Sequence, residues 1–178
     1  DRSPFKNVVI HGLVRDSKNR KMSKSLGNGV DPIDVIEKYG VDSLRYFLAT
    51  AASPGQDIRY QEERIQVASN YLNKIWNSAR YILMYIPEDF KTSKIDTKKL
   101  NLLDKYILSK LEATIKKVTK AMDKYDYGIA SSTLYNFVYD DFCSFYLEMT
   151  KVTLQDESAD KDVTLNVLLY VLKAIIMM

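Results

Sequence analysis

Apolar residues recur at intervals of three and four residues along the last two thirds of the chain. This spacing places the side chains on one face of an α-helix, which has 3.6 residues per turn. The first such run comprises Ile65, Ala68, Leu72, Ile75, Ala79, Ile82 and Ile86. It predicts a long helix over 61–86 that ends before Pro87, because proline has no N–H and its ring clashes with the preceding turn.

Two further runs have the same spacing. The second comprises Leu100, Leu103, Ile107, Leu111, Ile115, Val118 and Met122, and Asp126-Tyr127-Gly128 is expected to break that helix. The third comprises Leu134, Val138, Phe142, Phe145 and Met149. A fourth helix is predicted over 162–178. Long amphipathic helices joined by short polar linkers are typical of an antiparallel helical bundle.

The first sixty residues have a different pattern. Residues 6–14 form an apolar, β-branched run that predicts a buried strand. Asp31-Pro32 predicts a helix start and Gly40 its end. A second short helix follows at Asp42, and residues 53–57 predict a loop. The expected fold is therefore mainly α, with a short α/β element over 1–60 and a helical bundle over 61–178.

Composition fits a globular protein, with 46% hydrophobic and 28% charged residues and a net charge of +3. The single cysteine, Cys143, excludes a disulfide framework and a cysteine metal cluster, which fits the reducing cytoplasm. No apolar run is long enough to span a bilayer. The chain begins with Asp1 and ends in apolar residues, so we expect a piece of a longer protein.

Positive charge is concentrated in two zones. Residues 1–30 contain seven basic and two acidic residues, and residues 91–125 contain ten basic and four acidic residues. Such zones can bind phosphates, or they can be solvated lysine-rich helix faces. The lysines of the second long helix leave both interpretations open.

The stretch 20–32, RKMSKSLGNGVDP, carries the candidate chemistry. Lys21 and Lys24 offer ammonium groups, and Ser23 and Ser25 offer hydroxyls, which together suit a polyphosphate. The glycines at 27 and 29 allow sharp bends, and the following helix start favours anions. The pattern is not that of a P-loop. A basic, solvent-exposed hairpin tip is the alternative.

Several motifs resemble those of the valyl-tRNA synthetases, a family of class I aminoacyl-tRNA synthetases, over nearly the whole chain. These are HGLVRD (11–16), RKMSKSLGNG (20–29, with Asn19 before it in place of a usual glycine), DPIDVIEKYGVDSLR (31–45), SPGQDIR (53–59), NKIWNSARYILM (73–84), LDKYILSKL (103–111) and YDDFCSFYLEMTK (139–151). The isoleucyl-tRNA synthetases are the nearest alternative. The resemblance implies that residues 1–60 are the C-terminal end of a Rossmann-type catalytic domain and that 61–178 bind the anticodon.

The resemblance also implies roles in the binding and activation of ATP. Lys24 and Lys21 match the family's catalytic lysines in a loop that closes over ATP, which is used with Mg²⁺. Met22, Ser23 and Ser25 complete this ATP loop, and His11 is a weaker candidate for contact with ATP. Read alone, this single histidine is more often structural. The residues indicate no metal site, and the chain alone is expected to be inactive.

One polar face of the first long helix is the candidate RNA surface. Asn70, Lys74, Asn77 and Tyr81 are spaced four, three and four apart, with Arg80 beside them. Amides, cations and an aromatic ring can bond and stack bases, although a solvent face is the alternative. The resemblance assigns anticodon contacts to Lys74, Arg80 and Tyr81. We expect Trp76 to pack against another helix.

The resemblance implies that the chain is part of an enzyme that activates valine with ATP and attaches it to tRNA(Val). We expect it in the cytoplasm, with no membrane and no obligate protein partner. A fragment of an isoleucyl-tRNA synthetase, a tRNA-binding helical module without catalytic function and a helical scaffold with an incidental basic hairpin are the alternatives.

Overall fold

The computed structural model describes residues 3–51 and 55–178, and these are mostly helical. The helices are α1 (Pro32–Tyr39), α2 (Val41–Ala51), α3 (Glu62–Leu83), α4 (Leu102–Met122), α5 (Tyr127–Asn136), α6 (Leu147–Gln155) and α7 (Asp162–Met177). Two short strands, β1 (Val14–Arg15) and β2 (Ile58–Arg59), pair in parallel. The predicted class, mainly α with a short α/β element, is confirmed.

The chain forms two compact units. Unit 1 contains residues 1–72 and 120–131, and unit 2 contains 73–119 and 132–178. The division between the units falls inside α3, after Leu72. The predicted domain boundary at residue 60 stays a prediction.

Unit 1 is built around α1 and α2. The side chain of Asp31 accepts a hydrogen bond from the Ile33 N–H at 2.8 Å, and Pro32 is the first helical residue. The Gly40 N–H donates to the Ile36 carbonyl and ends α1. Both predicted helix signals are confirmed. The core of this unit comprises Val35, Phe47, Ile58 and Ile65.

The predicted buried strand over 6–14 is wrong. Only Val14 of this run lies in a strand, while Val8 is 75% exposed and Ile10 74% exposed. A strand that is apolar on both faces is buried only when other strands and helices surround it. Among the described residues, this strand pairs with Ile58–Arg59, and the one further backbone pairing is an isolated antiparallel bridge between Arg15 and Lys21.

The chain around Gly12 lies directly against the segment before β2. A Cβ atom on Gly12 would lie 1.8 Å from the Gln56 carbonyl oxygen. The Asp57 carboxylate accepts a hydrogen bond from the Leu13 N–H at 2.8 Å and forms an ion pair with Arg15. Most of the predicted loop 53–57 thus holds β1, although its first two residues lie outside the described residues.

In unit 2, α4 begins with a reciprocal cap. The Asp104 N–H donates to Asn101 Oδ1 at 2.9 Å, and the Asn101 N–H donates to Asp104 Oδ2 at 3.2 Å. The buried Tyr146 hydroxyl donates to Asp104 Oδ1 at 2.6 Å. Burial, followed by this hydrogen bond, raises the pKa of Tyr146. The predicted face of α4 is buried at Ile107 and Leu111.

Two helix boundaries and one predicted buried position differ from the prediction. The regular helix α3 ends at Leu83 and continues only as turns to Ile86. The break after α4 lies at 123–126, where Tyr125 has a φ of 58°, and Tyr127 begins the next helix. Met122, predicted on the buried face, is 45% exposed. The turn is set by the Asp126 side chain, which accepts from the Ile129 N–H.

The predicted apolar face of the third helix is wrong beyond Phe142. Residues Phe137–Tyr146 form a π-helix between α5 and α6, in which the Leu147 N–H donates to the Phe142 carbonyl. Bonding five residues back turns the chain less per residue than in an α-helix. The buried face therefore shifts, so that Phe145 and Met149 are exposed while Tyr146 and Leu147 are buried.

Substitution of Gly12 by alanine tests the close approach in unit 1. Gly12→Ala should destabilise the chain by about 1–3 kcal/mol, because its Cβ overlaps backbone that has to move. The measurements are a thermal melt and the hydrogen exchange of the Ile58 amide, which donates to the Leu13 carbonyl. Gly29→Ala is the control, since its Cβ meets open space. Equal behaviour of the two variants would contradict the close contact.

Candidate functional site

The basic loop begins with a tight turn after β1. The Asp16 N–H donates to the Arg20 carbonyl, and the Asn19 N–H donates to the Asp16 carbonyl, both at 2.9 Å. Asn19 has a φ of 63°, a left-handed conformation that asparagine adopts more readily than most residues. Asparagine at this position is therefore compatible with the turn.

The centre of the loop is the Asp16 carboxylate, whose residue is 6% exposed. Oδ1 accepts from the backbone N–H groups of Lys18 (3.0 Å) and Arg20 (2.7 Å). Oδ2 accepts from Arg20 Nε at 2.8 Å and from Asn28 Nδ2 at 2.9 Å. The bond from Asn28, followed by those from Arg20, lowers the pKa of Asp16. Asp16 is therefore ionised at neutral pH and connects both ends of the loop.

Asn28 extends this network to the middle of the loop. Its Oδ1 accepts from the Ser23 N–H at 2.9 Å, and its Nδ2 also donates to the Lys21 carbonyl at 3.2 Å. Ser23 Oγ accepts from the Leu26 N–H and caps a single 3-10 turn, Lys24–Leu26. The left-handed Gly27 ends that turn. The backbone of residues 21–27 is thus fixed by side chains.

The lysine side chains of the loop point away from this network. Lys21 and Lys24 are exposed and make no side-chain hydrogen bond or ion pair to the part of the chain that the structure describes. Met22 is half-buried, and the exposed Ser25 places its Oγ 3.2 Å from Ser23 Oγ. The loop can therefore present two ammonium groups and hydroxyls to an anion.

His11 lies apart from these loop contacts. It is exposed, and its Nδ1–H donates to the Gly12 carbonyl at 2.8 Å. The hydrogen bond orients the ring within its own backbone turn. A role in contact with ATP stays a prediction.

The predicted RNA face of α3 contains three exposed residues and two half-buried ones. Asn70, Asn77 and Arg80 are exposed, and Asn70 Oδ1 accepts from Gln66 Nε2 at 3.0 Å. Lys74 is half-buried, with its Nζ 5.4 Å from the centre of the Tyr139 ring. That cation–π contact orients the Lys74 ammonium group at the edge of the face.

Tyr81 is half-buried, and its side chain contacts Tyr85 and Lys151. Its hydroxyl donates to the Tyr85 hydroxyl at 3.4 Å, and Lys151 Nζ lies 5.4 Å from the centre of its ring. Burial, followed by the bond to Tyr85, raises the pKa of Tyr81 to about 12. The ring is therefore neutral and held in place, and its contact with RNA stays a prediction.

The expectation that Trp76 packs against another helix is wrong. Trp76 is 66% exposed. The buried side of α3 lies two residues further on, where Ser78 Oγ is 3.1 Å from Cys143 Sγ and Ile82 is fully buried. Since α-helical residues two apart point in different directions, Trp76 faces solvent.

Two lysines of α4 are paired with carboxylates. Lys110 Nζ lies 3.2 Å from Asp141 Oδ1, and Lys116 Nζ lies 3.1 Å from Glu112 Oε1. Asp141 also accepts from the Tyr106 hydroxyl at 2.6 Å. Pairing with a carboxylate reduces the positive field that these two lysines offer to a phosphate. Within the stretch 105–124, the exposed lysines without such a pair among the described residues are Lys105, Lys117, Lys120 and Lys124.

The sequence patterns indicate no role for Asp16 or Asn28, which hold the loop. Asp16 ends the HGLVRD motif and Asn28 lies between the two glycines, so both belong to the stretches that carry the resemblance. An aspartate followed by a polar turn is a usable signal, because such side chains bond nearby backbone N–H groups. The contact across twelve residues from Asn28 to Asp16 has no such local signal.

Two family models match separate parts of the chain. Residues 1–61 match class I tRNA synthetases (I, L, M and V), and residues 104–178 match the anticodon-binding domain of tRNA ligase. Among curated relatives, the valine–tRNA ligase of Staphylococcus aureus is 54% identical over 180 residues, and that of Staphylococcus epidermidis is 53% identical. The alignments cover 100% of this chain and 20% of each relative.

Solved structures show a similar fold. The methionyl-tRNA synthetase of Mycobacterium tuberculosis in complex with methionyl-adenylate matches with a TM-score of 0.75 and 27% identity, over 93% of this chain and 33% of that one. A ternary LeuRS–tRNA–LeuAMS complex from Agrobacterium radiobacter matches with a TM-score of 0.66 and 22% identity, over 93% of this chain and 20% of that one. At 22% identity, the likeness to the LeuRS complex shows a shared fold alone.

No helix among the described residues is long and apolar enough to cross a membrane. Among residues 3–51 and 55–178, no three His, Cys, Asp or Glu side chains are grouped so that they could hold a metal ion.

Loss of the Asp16 carboxylate should loosen the loop. In Asp16→Ala we expect faster hydrogen exchange at the amides of Arg20 and Ser23, the first a direct partner and the second held through Asn28. Glu37→Ala, which removes an exposed carboxylate of α1, is the control and should leave both amides unchanged. Unchanged exchange in Asp16→Ala would contradict the network.

Low pH should also loosen the loop in the wild type and speed hydrogen exchange at the amides of Arg20 and Ser23. Because the folded-state pKa of Asp16 lies below its ordinary value of 3.8, its contribution to stability is present above pH 3.8 and is lost as the pH falls below that value. The protection factors of the same two amides, measured as a function of pH, check this sign. Protection that rises as the pH falls would contradict it.

Proposed function

We propose that this chain, which belongs to the class I aminoacyl-tRNA synthetase family and matches a 20% segment of valine–tRNA ligases, supplies two parts of such an enzyme. The first is the loop that closes over ATP during activation of valine. The second is a helical surface that binds tRNA(Val). The observation that carries the proposal is the pair of exposed lysines, Lys21 and Lys24, on a loop held by Asp16 and Asn28.

The loop fits the charge changes of amino-acid activation. The valine carboxylate attacks the α-phosphate of ATP, and pyrophosphate leaves, so negative charge grows on phosphate oxygens. Ammonium groups from Lys24 and Lys21 placed there stabilise the transition state more than the ground state. Mg²⁺ would accompany ATP and neutralise phosphate charge. Met22, Ser23 and Ser25 position the loop, and His11 is the more distant candidate for contact with ATP.

Motion is part of the same proposal. A loop that admits ATP and releases pyrophosphate has to open, and it has to close for the chemical step. The hydrogen bonds of Asp16 and Asn28 fix the two ends and the local shape, while the lysine side chains stay in solvent. Such a loop can move as one piece with its shape retained.

The helical surface fits RNA by its chemistry. Arg80 and Lys74 offer positive charge, and the exposed amide of Asn77 offers a donor and an acceptor to base edges. Tyr81 and the more distant Asn70 complete the proposed contacts. The match of residues 104–178 to an anticodon-binding domain supports tRNA binding by this chain, and Lys74 of α3 contacts Tyr139 within that matched range.

The similarity to relatives favours valine over isoleucine, because valine–tRNA ligases match at 53–54% identity along the whole chain. A helical module without catalytic function would have no use for the lysine loop, which is matched by the synthetase model over 1–61. A cytoplasmic location, the absence of an obligate protein partner and the inactivity of the chain on its own belong to the same proposal.

Replacement of Lys24 tests the catalytic half. In a full-length enzyme that contains this segment, Lys24→Ala should slow valine-dependent ATP–pyrophosphate exchange by about 100-fold or more, because one preorganised charge is lost from the transition state. Binding of tRNA should change little, since Lys24 is not on α3.

The matched control is Lys18→Ala. Lys18 is also exposed and close in sequence, but its contact with Asp16 is made by the backbone N–H. Exchange should therefore stay near the wild-type rate. If Lys24→Ala and Lys18→Ala had the same exchange rate as the wild type, the loop would not have the proposed role.

A further inference from the structure

The one tryptophan of the chain lies on the surface with its ring in solvent. Trp76 is 66% exposed, while large aromatic rings are usually buried in a protein of this composition. The side of α3 that carries Ser78 and Ile82 is buried, and Trp76 lies on a different side of the helix, outside that packing. An exposed ring of this size therefore needs an explanation that the fold of unit 2 does not provide.

The neighbours of Trp76 on the exposed face of α3 are polar or positive. Asn73 lies three residues before Trp76 and Arg80 four residues after it, so both are its neighbours on the helix surface. Asn77 is the next residue along the chain and points to one side of the ring. All three are exposed. Their side chains make no hydrogen bond or ion pair to other residues in the ranges 3–51 and 55–178.

Charge distinguishes this face from an ordinary protein-docking surface. Residues 73–83 include two basic residues, Lys74 and Arg80, and no acidic one. Lys151 of α6 places its ammonium group over the Tyr81 ring of α3. The same ammonium group forms an ion pair with Glu148, with 2.8 Å between Nζ and Oε2. An anionic partner with flat rings suits a tryptophan flanked by amides and a guanidinium group.

We propose that Trp76 is a base-stacking residue for an unpaired nucleotide of RNA, with Arg80 on the adjacent phosphate or base edge. Every base has a π-face, and stacking on an aromatic ring needs that base to be free of a duplex. The inference rests on the proposed tRNA-binding function and adds a residue to which neither pattern nor resemblance had given this role.

The ring itself provides the measurement, because Trp76 is the only tryptophan in the chain. The chain is titrated with a labelled anticodon stem-loop of tRNA(Val), and binding is followed by anisotropy of the label and separately by tryptophan emission. We expect quenching of the emission that saturates together with the anisotropy. A fully paired RNA of the same length should bind with little quenching.

Variants separate stacking from general affinity. Trp76→Ala should weaken binding of the stem-loop by about 5- to 150-fold, as for loss of a stacked base, and Trp76→Phe should retain part of the affinity. Leu102→Ala removes another exposed apolar side chain, 82% exposed on α4, and should have no effect. Circular dichroism checks that all variants keep their helix content.

The possible failures are distinguishable. Binding by anisotropy without quenching, and without loss in Trp76→Ala, would overturn the inference and leave the proposed function intact. Absence of binding would overturn both. A blue shift of tryptophan emission that increases with protein concentration, without RNA, would show that a second copy of the chain covers the ring and would also overturn the inference.

Discussion

A buried carboxylate must be matched by hydrogen-bond donors, and Asp16 takes its donors from both ends of the loop that carries Lys21 and Lys24. This requirement determines the local shape of unit 1. Asn28 can donate to Asp16 only if the loop returns to its start, and the amide oxygen of Asn28 then accepts a hydrogen bond from the Ser23 N–H. The side chains of Lys21 and Lys24 take no part in this network and lie in solvent.

Much of the fold could be predicted from periodicity and capping. The 3.6-residue period gave the long helices, and Asp31-Pro32 and Gly40 gave the ends of α1, because both signals depend on nearby residues only. The strand at 6–14 could not be judged in this way, since its burial depends on strands and helices distant in sequence. The π-helix at Phe137–Tyr146 could not be predicted from this pattern either, because the apolar positions indicate only the 3.6-residue period of an α-helix.

The candidate site was predictable to a similar extent. The basic loop and its lysines could be predicted from a short motif, because ammonium and hydroxyl groups close together in sequence indicate an anion-binding loop. The network beneath it depends on a contact between side chains twelve residues apart, which the sequence does not indicate. The exposure of Trp76 was predicted wrongly for the same reason: the side of α3 that is buried is decided by Ser78, Ile82 and their partners.

We propose that this chain reads valine tRNA through α3 and does more than bind phosphates. The direct measurement is the affinity of the chain for valine tRNA and for isoleucine tRNA at two salt concentrations, with the wild type and Arg80→Ala. We expect a preference for valine tRNA at both salt concentrations, which Arg80→Ala removes. Equal affinities that fall steeply with salt and do not respond to the substitution would contradict it, because contacts to phosphates alone give that result.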